Sequence, residues 1–358
     1  MRLNLSYDRN NEPLTDLLEF IENRRYVIRA LVPEGYESYF KQRARYISAH
    51  TSTAIEGNPL NEDEAMLVFA EGASEDDPAG LEKTSLEEAY ELMSALTADK
   101  TTRIDEGIIR TINSMTLRGL PENQARNRGR YRLGQNLIVD AASREVRYRP
   151  PPPDDVPVLM TSFVQDLDRW VREEPAPIAA ALAHFGVISI HPFDDGNGRT
   201  ARLVADMILD LTGWSIEDML SVSSVLFGRR DDYYAALREA QGDRFLEDVD
   251  ATPFVSFHTE ALVAAAANLE EHVVSFNKRR DRWTEGVDGA LKPRQVIAFM
   301  FMLDMGPLSS STYARLANSS QSSALADLAD MVERGIVIRG GGGRSTRYRL
   351  HPTIAERM

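Results

Sequence analysis

Residues 191–202 read HPFDDGNGRTAR and gather several side chains that could do chemistry. Gly196, Asn197 and Gly198 predict a turn directly before a helix, and glycines let a backbone approach an anion closely. The free N–H groups and the dipole at the start of that helix would then point at the anion. The spacing therefore predicts a phosphate site at a helix N-terminus.

Charged side chains in the same string supply the rest of such a site. Arg199 and Arg202 lie three residues apart on one helix face, and their forked guanidinium groups suit phosphate oxygens. Asp195 is a hard oxygen ligand beside the turn, where Mg²⁺ is the usual ion. His191 can accept a proton from an attacking hydroxyl near neutral pH. Each residue alone is common in structural settings, but the combination ahead of an amphipathic helix favours a functional site.

A second short stretch, TSTAIEGNPL over residues 51–60, predicts a helix that ends at a carboxylate. Apolar residues mark one face of a helix over 35–56, and Gly57 just after it is a stop signal. Ser52 and Glu56 lie four residues apart, so they share a helix face and could point into one site. Taken alone, the stretch is also compatible with an ordinary surface helix end.

The elements that would position these residues are mostly helical, which makes the predicted fold class mainly α. Helices are predicted over 14–31, 35–56, 60–100 with an acidic interruption, 104–117, 155–173, 178–190, 199–212, 230–240 and 252–275. Two extended segments, 136–140 and 145–149, predict a β-hairpin that four consecutive prolines end. A polar segment without periodicity predicts a linker over 276–290.

The tail, residues 291–358, contains nine Arg or Lys and five Asp or Glu, a net charge of +4. Three helices and a glycine-tipped pair of strands predict a winged helix-turn-helix domain. Its predicted recognition helix carries Asp327, Asp330 and Glu333 with only Arg334, which is poor for phosphate contact. The better candidates are the wing arginines Arg339, Arg344, Arg347 and Arg349. DNA binding and docking on the core or on a partner both remain open.

Composition excludes several classes of protein. The chain of 358 residues suits two or three domains, and its net charge of −14 argues against coating nucleic acid or anionic membrane. It has no cysteine, which excludes disulfides, thiolate nucleophiles and Cys-type zinc sites. Neither a signal-peptide pattern nor an 18-residue apolar run occurs, so we expect a cytoplasmic protein without a membrane span.

The string HPFDDGNGRTAR resembles the Fic motif, HPFx(D/E)GNGRxxR, and matches it at every fixed position. The segments GRYR, PPPPDDVPVLM, ALAHFGVISIHPF and RRDDYYAALREAQGD also resemble Fic features, in Fic order. The tail resembles the winged helix of some larger Fic proteins. The resemblance implies an N-terminal helical region (1–103), a helical Fic core with a hairpin flap (104–275), the linker and the winged helix domain (291–358).

The function implied by the resemblance is that of a protein adenylyltransferase, which transfers AMP from ATP to a Ser, Thr or Tyr hydroxyl of a protein. His191 would deprotonate the hydroxyl, and Asp195 would hold Mg²⁺ between the α- and β-phosphates. The other implied nucleotide contacts are Gly196, Asn197 and Gly198 around the phosphates, Arg199 and Arg202 on the β/γ side, Tyr233 and Tyr234 at the base, Gln241 near the ribose, and Ile138, Val139, Asp140 and Ala141 of the flap. Val139 and Asp140 stand where many flaps carry glycine, and the flap edge could hold a target segment.

Ser52, Glu56 and Gly57 resemble the inhibitory motif (S/T)xxxE(G/N) of Fic proteins. On that pattern Glu56 would pair with Arg202, take the place of the γ-phosphate and hold ATP in an unproductive pose. The implied partners are ATP and a protein target, and self-modification and homo-oligomers fit the family.

Two other functions stay open. One is removal of AMP from a modified protein, in which a glutamate positions the attacking water. The other is a DNA-associated regulator whose core senses nucleotide. The intact His191 favours an enzyme, because a sensor has no need of a base.

Overall fold

The computed structural model describes residues 1–121, 125, 127–139, 144–286, 291–343 and 346–355. Helices dominate these ranges, which confirms the mainly α fold class. The helices are α1 (Glu12–Leu31), α2 (Glu37–Ile55), α3 (Glu62–Glu71), α4 (Pro78–Thr97), α5 (Glu106–Thr116), α6 (Val156–Glu173), α7 (Ala176–Ile190), α8 (Asn197–Leu211), α9 (Val222–Gly228), α10 (Arg230–Gln241), α11 (Thr252–Gly286), α12 (Pro293–Asp304), α13 (Ser310–Leu316), α14 (Gln321–Glu333) and α15 (Pro352–Ala355). The strands are β1 (Asn4–Ser6), β2 (Ile138–Val139), β3 (Val146–Tyr148), β4 (Asp248–Asp250), β5 (Val337–Gly340) and β6 (Arg347–Leu350). Within the described ranges, no helix has the length and apolar character needed to cross a membrane.

Helix α7 is the centre of the core, and nearly every residue in it is buried. It packs against α6, α8 and α11. Gly186 allows the closest of these approaches, because a Cβ there would lie 2.4 Å from the ring of Phe163. Since α7 ends at Ile190 and α8 begins at Asn197, the motif loop is held between two buried helices.

Helix α2 lies between the core and the C-terminal helices. At its start, Ser38 Oγ donates a 2.7 Å hydrogen bond to the carbonyl of Leu316. The Tyr39 hydroxyl donates to the Asp304 carboxylate and lies 3.1 Å from His272 Nε2. The other end of α2 reaches α8, so this helix connects the C-terminal region to the motif.

The two predicted strand pairs are present. Strands β2 and β3 are antiparallel, with Ile138 opposite Tyr148 and Val139 opposite Val146. The tail contains the three predicted helices α12, α13 and α14, and β5 and β6 pair antiparallel after them.

Two structural expectations were wrong or incomplete. The helix predicted to end at 275 continues to Gly286, so residues 276–286 are helical rather than an irregular linker. Long-range contacts that no local pattern reveals hold this extension: Phe276 is buried, Asn277 donates to the carbonyl of Leu31, and Arg279 pairs with Asp304.

The parallel pair β1–β4 and helix α9 were missed as well. The two strands have three residues each and pair across more than 240 positions of sequence. Such short segments carry too little periodicity to detect. The division of the chain into domains stays a prediction.

We predict that Phe276→Ala lowers the free energy of unfolding by about 3 to 4 kcal/mol, because it leaves a cavity among buried aromatic rings. The ring of Phe276 lies 5.0 Å from those of Tyr39 and Phe40, centroid to centroid. Urea unfolding followed by circular dichroism measures the change. Lys278→Ala, two residues away on the exposed side, is the control. Equal stability of the two variants would contradict the packed helical extension.

Candidate active site

The backbone of the motif loop is fixed by a buried arginine. His191 caps α7 in the left-handed region, with φ of 50°. Arg132, only 1% exposed, donates from Nε to the His191 carbonyl at 2.9 Å. Its remaining guanidinium nitrogens donate to the carbonyls of Gly134 and Pro151. Because a buried cation must be satisfied, these carbonyls and Arg132 fix one another and hold His191 at the end of α7.

Two asparagines fix the rest of the loop. Asn197 Oδ1 accepts from Phe193 N at 3.0 Å, and its Nδ2 donates to Phe193 O at 2.9 Å. Asn113 Nδ2 donates to the Asp195 carbonyl at 2.9 Å, while its Oδ1 accepts from Gly129 N. Both polar ends of Asn197 are therefore engaged inside the loop, so its contribution to anion binding would come through the shape of the turn.

The N-terminus of α8 lies beside a carboxylate. Gly196 has φ of 78°, which turns the chain into the helix, and Gly198 is in the first turn. A Cβ at residue 198 would lie 2.1 Å from Glu56 Oε1. Glu56 therefore occupies the position at a helix N-terminus that the predicted phosphate would take.

Glu56 also pairs with the second arginine of the motif, as the resemblance implied. Its Oε1 accepts from Arg202 Nη2 at 2.7 Å. Ser52 contributes twice, because its hydroxyl accepts from Arg202 Nε at 2.7 Å and its carbonyl accepts from Nη2 at 2.9 Å. Gly57 lets the chain leave the helix at once, with φ of 96°. The last turn of α2 thus brings Ser52 and Glu56 to the same guanidinium, that of Arg202.

Electrostatics set the charge state of both Glu56 and His191. Burial would raise the pKa of the Glu56 carboxyl, but Arg202, with Arg199 and His191, lowers it below its usual value. Burial lowers the pKa of His191 to about 4, although the Ile188 carbonyl opposes the shift. At neutral pH the site therefore contains a charged carboxylate and a neutral imidazole that can accept a proton.

A cleft of about 490 Å³ opens beside His191, within the size range of ligand pockets. The sequence-predicted residues that line it are Glu56, Ile138, Val139, His191, Gly198, Tyr233, Tyr234 and Gln241. Tyr233 is buried, and its hydroxyl lies 3.0 Å from His184 Nε2. Gln241 Nε2 is buried without a protein partner among the described residues, which leaves a donor for a ligand.

The other predicted residues lie at the edge of the cleft or behind it. Ser52, Gly57, Asp195, Gly196, Asn197, Arg199 and Arg202 do not line it in the part of the chain that the structure describes. Asp140 and Ala141 lie outside the described residues.

Several cleft residues were missed by sequence reasoning: Arg147, Tyr148, Ile188, Arg230, Leu237, Arg238 and Gly242. The contribution of α10 could have been found. Starting from Tyr233 and Tyr234, the helical spacing of three to four residues leads to Arg230, Leu237 and Arg238 on the same face. Arg132 lies in the segment GRYR, but its role was not predicted, because its partners His191 and Pro151 are distant in sequence. Asn113 had no such signal.

Comparisons with known proteins found two family profiles that match this chain. A profile of the Fic/DOC family matches residues 103–209. A second profile, of the C-terminal domain of a DIP2311-like transcriptional regulator, matches residues 294–351.

The fold is similar to that of a solved Fic family protein from Desulfovibrio desulfuricans, with a TM-score of 0.58 and 25% identity over 96% of this chain and 97% of that one. It is also similar to a Fic domain containing signaling protein from Bacteroides thetaiotaomicron, with a TM-score of 0.60 and 22% identity over 72% of this chain and 98% of that one.

Among curated proteins, the chain is 36% identical to Protein adenylyltransferase Fic of Nematostella vectensis over 130 residues, or 36% of this chain and 26% of that protein. It is 29% identical to Protein adenylyltransferase fic-1 of Caenorhabditis elegans over 147 residues, or 39% of this chain and 25% of that protein. The chain thus spans about a quarter of the length of these two relatives. It contains a Fic domain.

We predict that Arg132→Met lowers the free energy of unfolding by about 3 kcal/mol, because it leaves three carbonyls without their donor, one of them in a fully buried hydrogen bond. Urea unfolding of the purified protein checks this value. Arg130→Met is the matched control, since Arg130 is exposed two residues earlier. A loss no larger than that of the control would mean that Arg132 does not hold the loop.

Proposed function

We propose that this protein is a protein adenylyltransferase that its own Glu56 holds in an inhibited state. The observation that carries the proposal is one cleft in which a neutral His191 lies beside the N-terminus of α8 while Glu56 occupies that N-terminus and pairs with Arg202. The names of the curated relatives support AMP transfer as the reaction.

In AMP transfer, the target hydroxyl forms a bond to the α-phosphorus of ATP, and the bond from that phosphorus to the pyrophosphate oxygen breaks. His191 accepts the hydroxyl proton, since its ring is neutral at pH 7 and has a nitrogen lone pair available. Pyrophosphate leaves with the electron pair of the broken bond. The N–H groups of α8 with Arg199 and Arg202 stabilise the charge on the phosphates.

Mg²⁺ fits the residues present. Asp195 has a half-exposed side chain beside the N-terminus of α8, and its Oδ1 accepts from Arg199 Nη2 at 3.2 Å. Within the described ranges, no group of three His, Asp or Glu side chains could hold an ion alone. A nucleotide-bound Mg²⁺ needs only one or two protein carboxylates beside phosphate oxygens. Asp195 would hold the ion, which when bound would neutralise phosphate charge.

The rest of the cleft suits the nucleoside and the target. Tyr233 and Tyr234 would contact the base, and the Nε2 of Gln241 would donate to the ribose. The target is a protein with a Ser, Thr or Tyr hydroxyl, presented beside Ile138 and Val139. Modification of the chain itself and assembly into homo-oligomers are compatible with this proposal.

Inhibition follows from competition for one guanidinium. Arg202 is 2% exposed and already makes three hydrogen bonds to Ser52 and Glu56. A γ-phosphate would have to displace the carboxylate of Glu56 from both Arg202 and the N-terminus of α8. The same carboxylate could position water for removal of AMP, which makes de-AMPylation the alternative reaction.

We predict that Glu56→Gly raises AMP transfer at least about tenfold, since each 1.4 kcal/mol of lost competition is a factor of ten. Incubation with α-labelled ATP and Mg²⁺ measures label on the protein and on lysate proteins. Adding His191→Ala to this variant should abolish the label.

The control for Glu56→Gly is Glu34→Gly, which changes an exposed loop glutamate far from the motif in sequence. Equal labelling by wild type, Glu34→Gly and Glu56→Gly would contradict inhibition by Glu56. Label that survives His191→Ala would contradict the assigned base. Release of AMP by wild type from a labelled target, without forward transfer by Glu56→Gly, would favour the alternative reaction.

DNA binding by the tail is a second candidate function, favoured by the match to a transcriptional regulator's C-terminal domain. The acidic residues of the predicted recognition helix argue against DNA binding, but less strongly than the sequence indicates, because Asp327 of α14 is buried. Its carboxylate accepts from Arg294 Nε at 2.7 Å, Tyr313 at 2.9 Å and Lys292 Nζ at 3.1 Å. Its charge is therefore neutralised inside the tail.

Most of the basic residues offered as phosphate contacts lie on the β5–β6 pair, and Arg315 of α13 is also exposed. Arg339 and Arg349 are exposed, and Arg347 is half-buried. Arg344 lies outside the described residues. The exposed residues of α14, a helix that the structure describes throughout, contain no cation: they are Gln321, Ser322, Leu325, Ala326, Ala329 and Glu333. Phosphate contacts would therefore come from the wing more than from the helix.

We predict that the double variant Arg339→Ala/Arg349→Ala makes the negative slope of log affinity against log salt concentration shallower by about 1.8, since each phosphate contact contributes about 0.9. Fluorescence anisotropy with a labelled duplex at several salt concentrations measures this slope. Arg118→Ala, an exposed change in the N-terminal half, is the control. No binding above the salt control by the unchanged protein would rule out the DNA candidate.

A further inference from the structure

The first arginine of the motif, Arg199, is also held by a residue outside the motif. Arg199 is 3% exposed, and its Nη1 donates to Glu82 Oε1. Its Nη2 donates to Asp195 Oδ1 at 3.2 Å, and its Nε has no protein partner among the described residues. Glu82 belongs to α4, more than 100 positions before the motif. Helix α4 thus fixes one guanidinium nitrogen of Arg199, while its Nε–H stays available to donate to a ligand.

Glu82 is itself held by the end of the inhibitory segment. Its Oε2 accepts from Asn58 Nδ2 at 2.7 Å. Asn58 Nδ2 also donates to the carbonyl of Ala79 at 3.0 Å, and its Oδ1 accepts from Leu60 N at 3.1 Å. Asn58 follows Glu56 by two residues. The segment that pairs with Arg202 through Glu56 therefore also reaches Arg199, through Glu82.

Glu82 and Glu56 differ in their position relative to the cleft, and this difference indicates different roles. Glu56 lines the cleft and lies against Gly198, whereas Glu82 is not among the cleft-lining residues of the described chain. An arriving phosphate would meet Glu56 in its way, whereas Glu82 contacts Arg199 through Nη1 and, among the described residues, leaves the Nε of Arg199 free to donate. Glu82 therefore acts on the guanidinium and does not compete for the phosphate position.

We propose that Glu82, held by Asn58, is a positioning residue for ATP: it fixes the guanidinium of Arg199 before the nucleotide binds. This proposal rests on the proposed function, because it takes the phosphates of ATP as the ligand at α8. An arginine side chain loses rotamer freedom when it binds, and fixing it in advance reduces that cost. The carboxylate also compensates a buried cation when no nucleotide is present.

The test is Glu82→Gln, which keeps the size of the side chain and removes its charge. In a protein that also carries Glu56→Gly and His191→Ala, calorimetry measures the affinity for ATP with Mg²⁺ without chemistry. We expect the Kd to rise about tenfold, as for loss of a charge-assisted hydrogen bond. In the Glu56→Gly protein, KM for ATP should rise by a similar factor while kcat falls by less than about threefold.

Glu88→Gln is the matched control, because Glu88 lies on the same helix and pairs with the exposed Arg118. It should leave Kd and KM unchanged. Asn58→Ala is a second variant that keeps the Glu82 charge, and it should raise Kd by a smaller factor. Thermal unfolding of every variant shows whether a change in affinity reflects loss of the fold.

Two results would overturn the proposal. The first is an unchanged Kd in folded Glu82→Gln. The second is an increase of AMP transfer by Glu82→Gln in the protein with Glu56 intact, which would make Glu82 a competitor of phosphate. If Glu56→Gly binds ATP but transfers no AMP, the proposed function fails, and the effect of Glu82→Gln on Kd still decides the role of Glu82.

Discussion

The buried guanidinium of Arg202 is the constraint on which the site depends. A cation that is 2% exposed has lost its hydration, and leaving it without partners would cost several kcal/mol. Ser52 and Glu56 supply those partners in the absence of nucleotide. Nη1 of Arg202 still has no partner among the described residues. The carboxylate of Glu56 supplies an anion at this place, and on the proposed function a phosphate would be the alternative.

The position of Glu56 depends on contacts over the whole length of α2. At the start of the helix, Ser38 and Tyr39 bind the C-terminal helices through Leu316 and Asp304. In the middle, Ser48 Oγ donates to Ser221 Oγ at 2.8 Å. These contacts hold the helix that leads to Glu56, so they contribute to the position of the carboxylate at its far end. The proposed competition at Arg202 would thus depend on contacts along the whole helix.

Local spacing predicted the phosphate-type turn and the hairpin strands, since each depends on residues close in sequence, whereas the pairing of Glu56 with Arg202 was implied only by the resemblance to Fic inhibitory motifs. Contacts between distant segments escaped prediction. Glu82 meets Arg199 only because α4 packs beside α8, and Arg132 finds its carbonyls only once the loop has formed. The continuation of α11 to Gly286 has the same origin, because burial of Phe276 outweighs a polar local sequence.

The helix end that carries Glu56 is electrostatically unfavourable for a carboxylate by itself. Glu56 follows the last residue of α2, where the helix dipole is negative. The N-terminus of α8, where the helix dipole is positive, compensates, because its N–H groups and Arg202 face the same carboxylate. The side chain of Glu56 remains 32% exposed, so it has a path to solvent when a phosphate takes its place. A fully enclosed carboxylate would have to lose its charge or break the fold to leave, whereas on the proposed function this one would exchange with a phosphate while α2 stays bound.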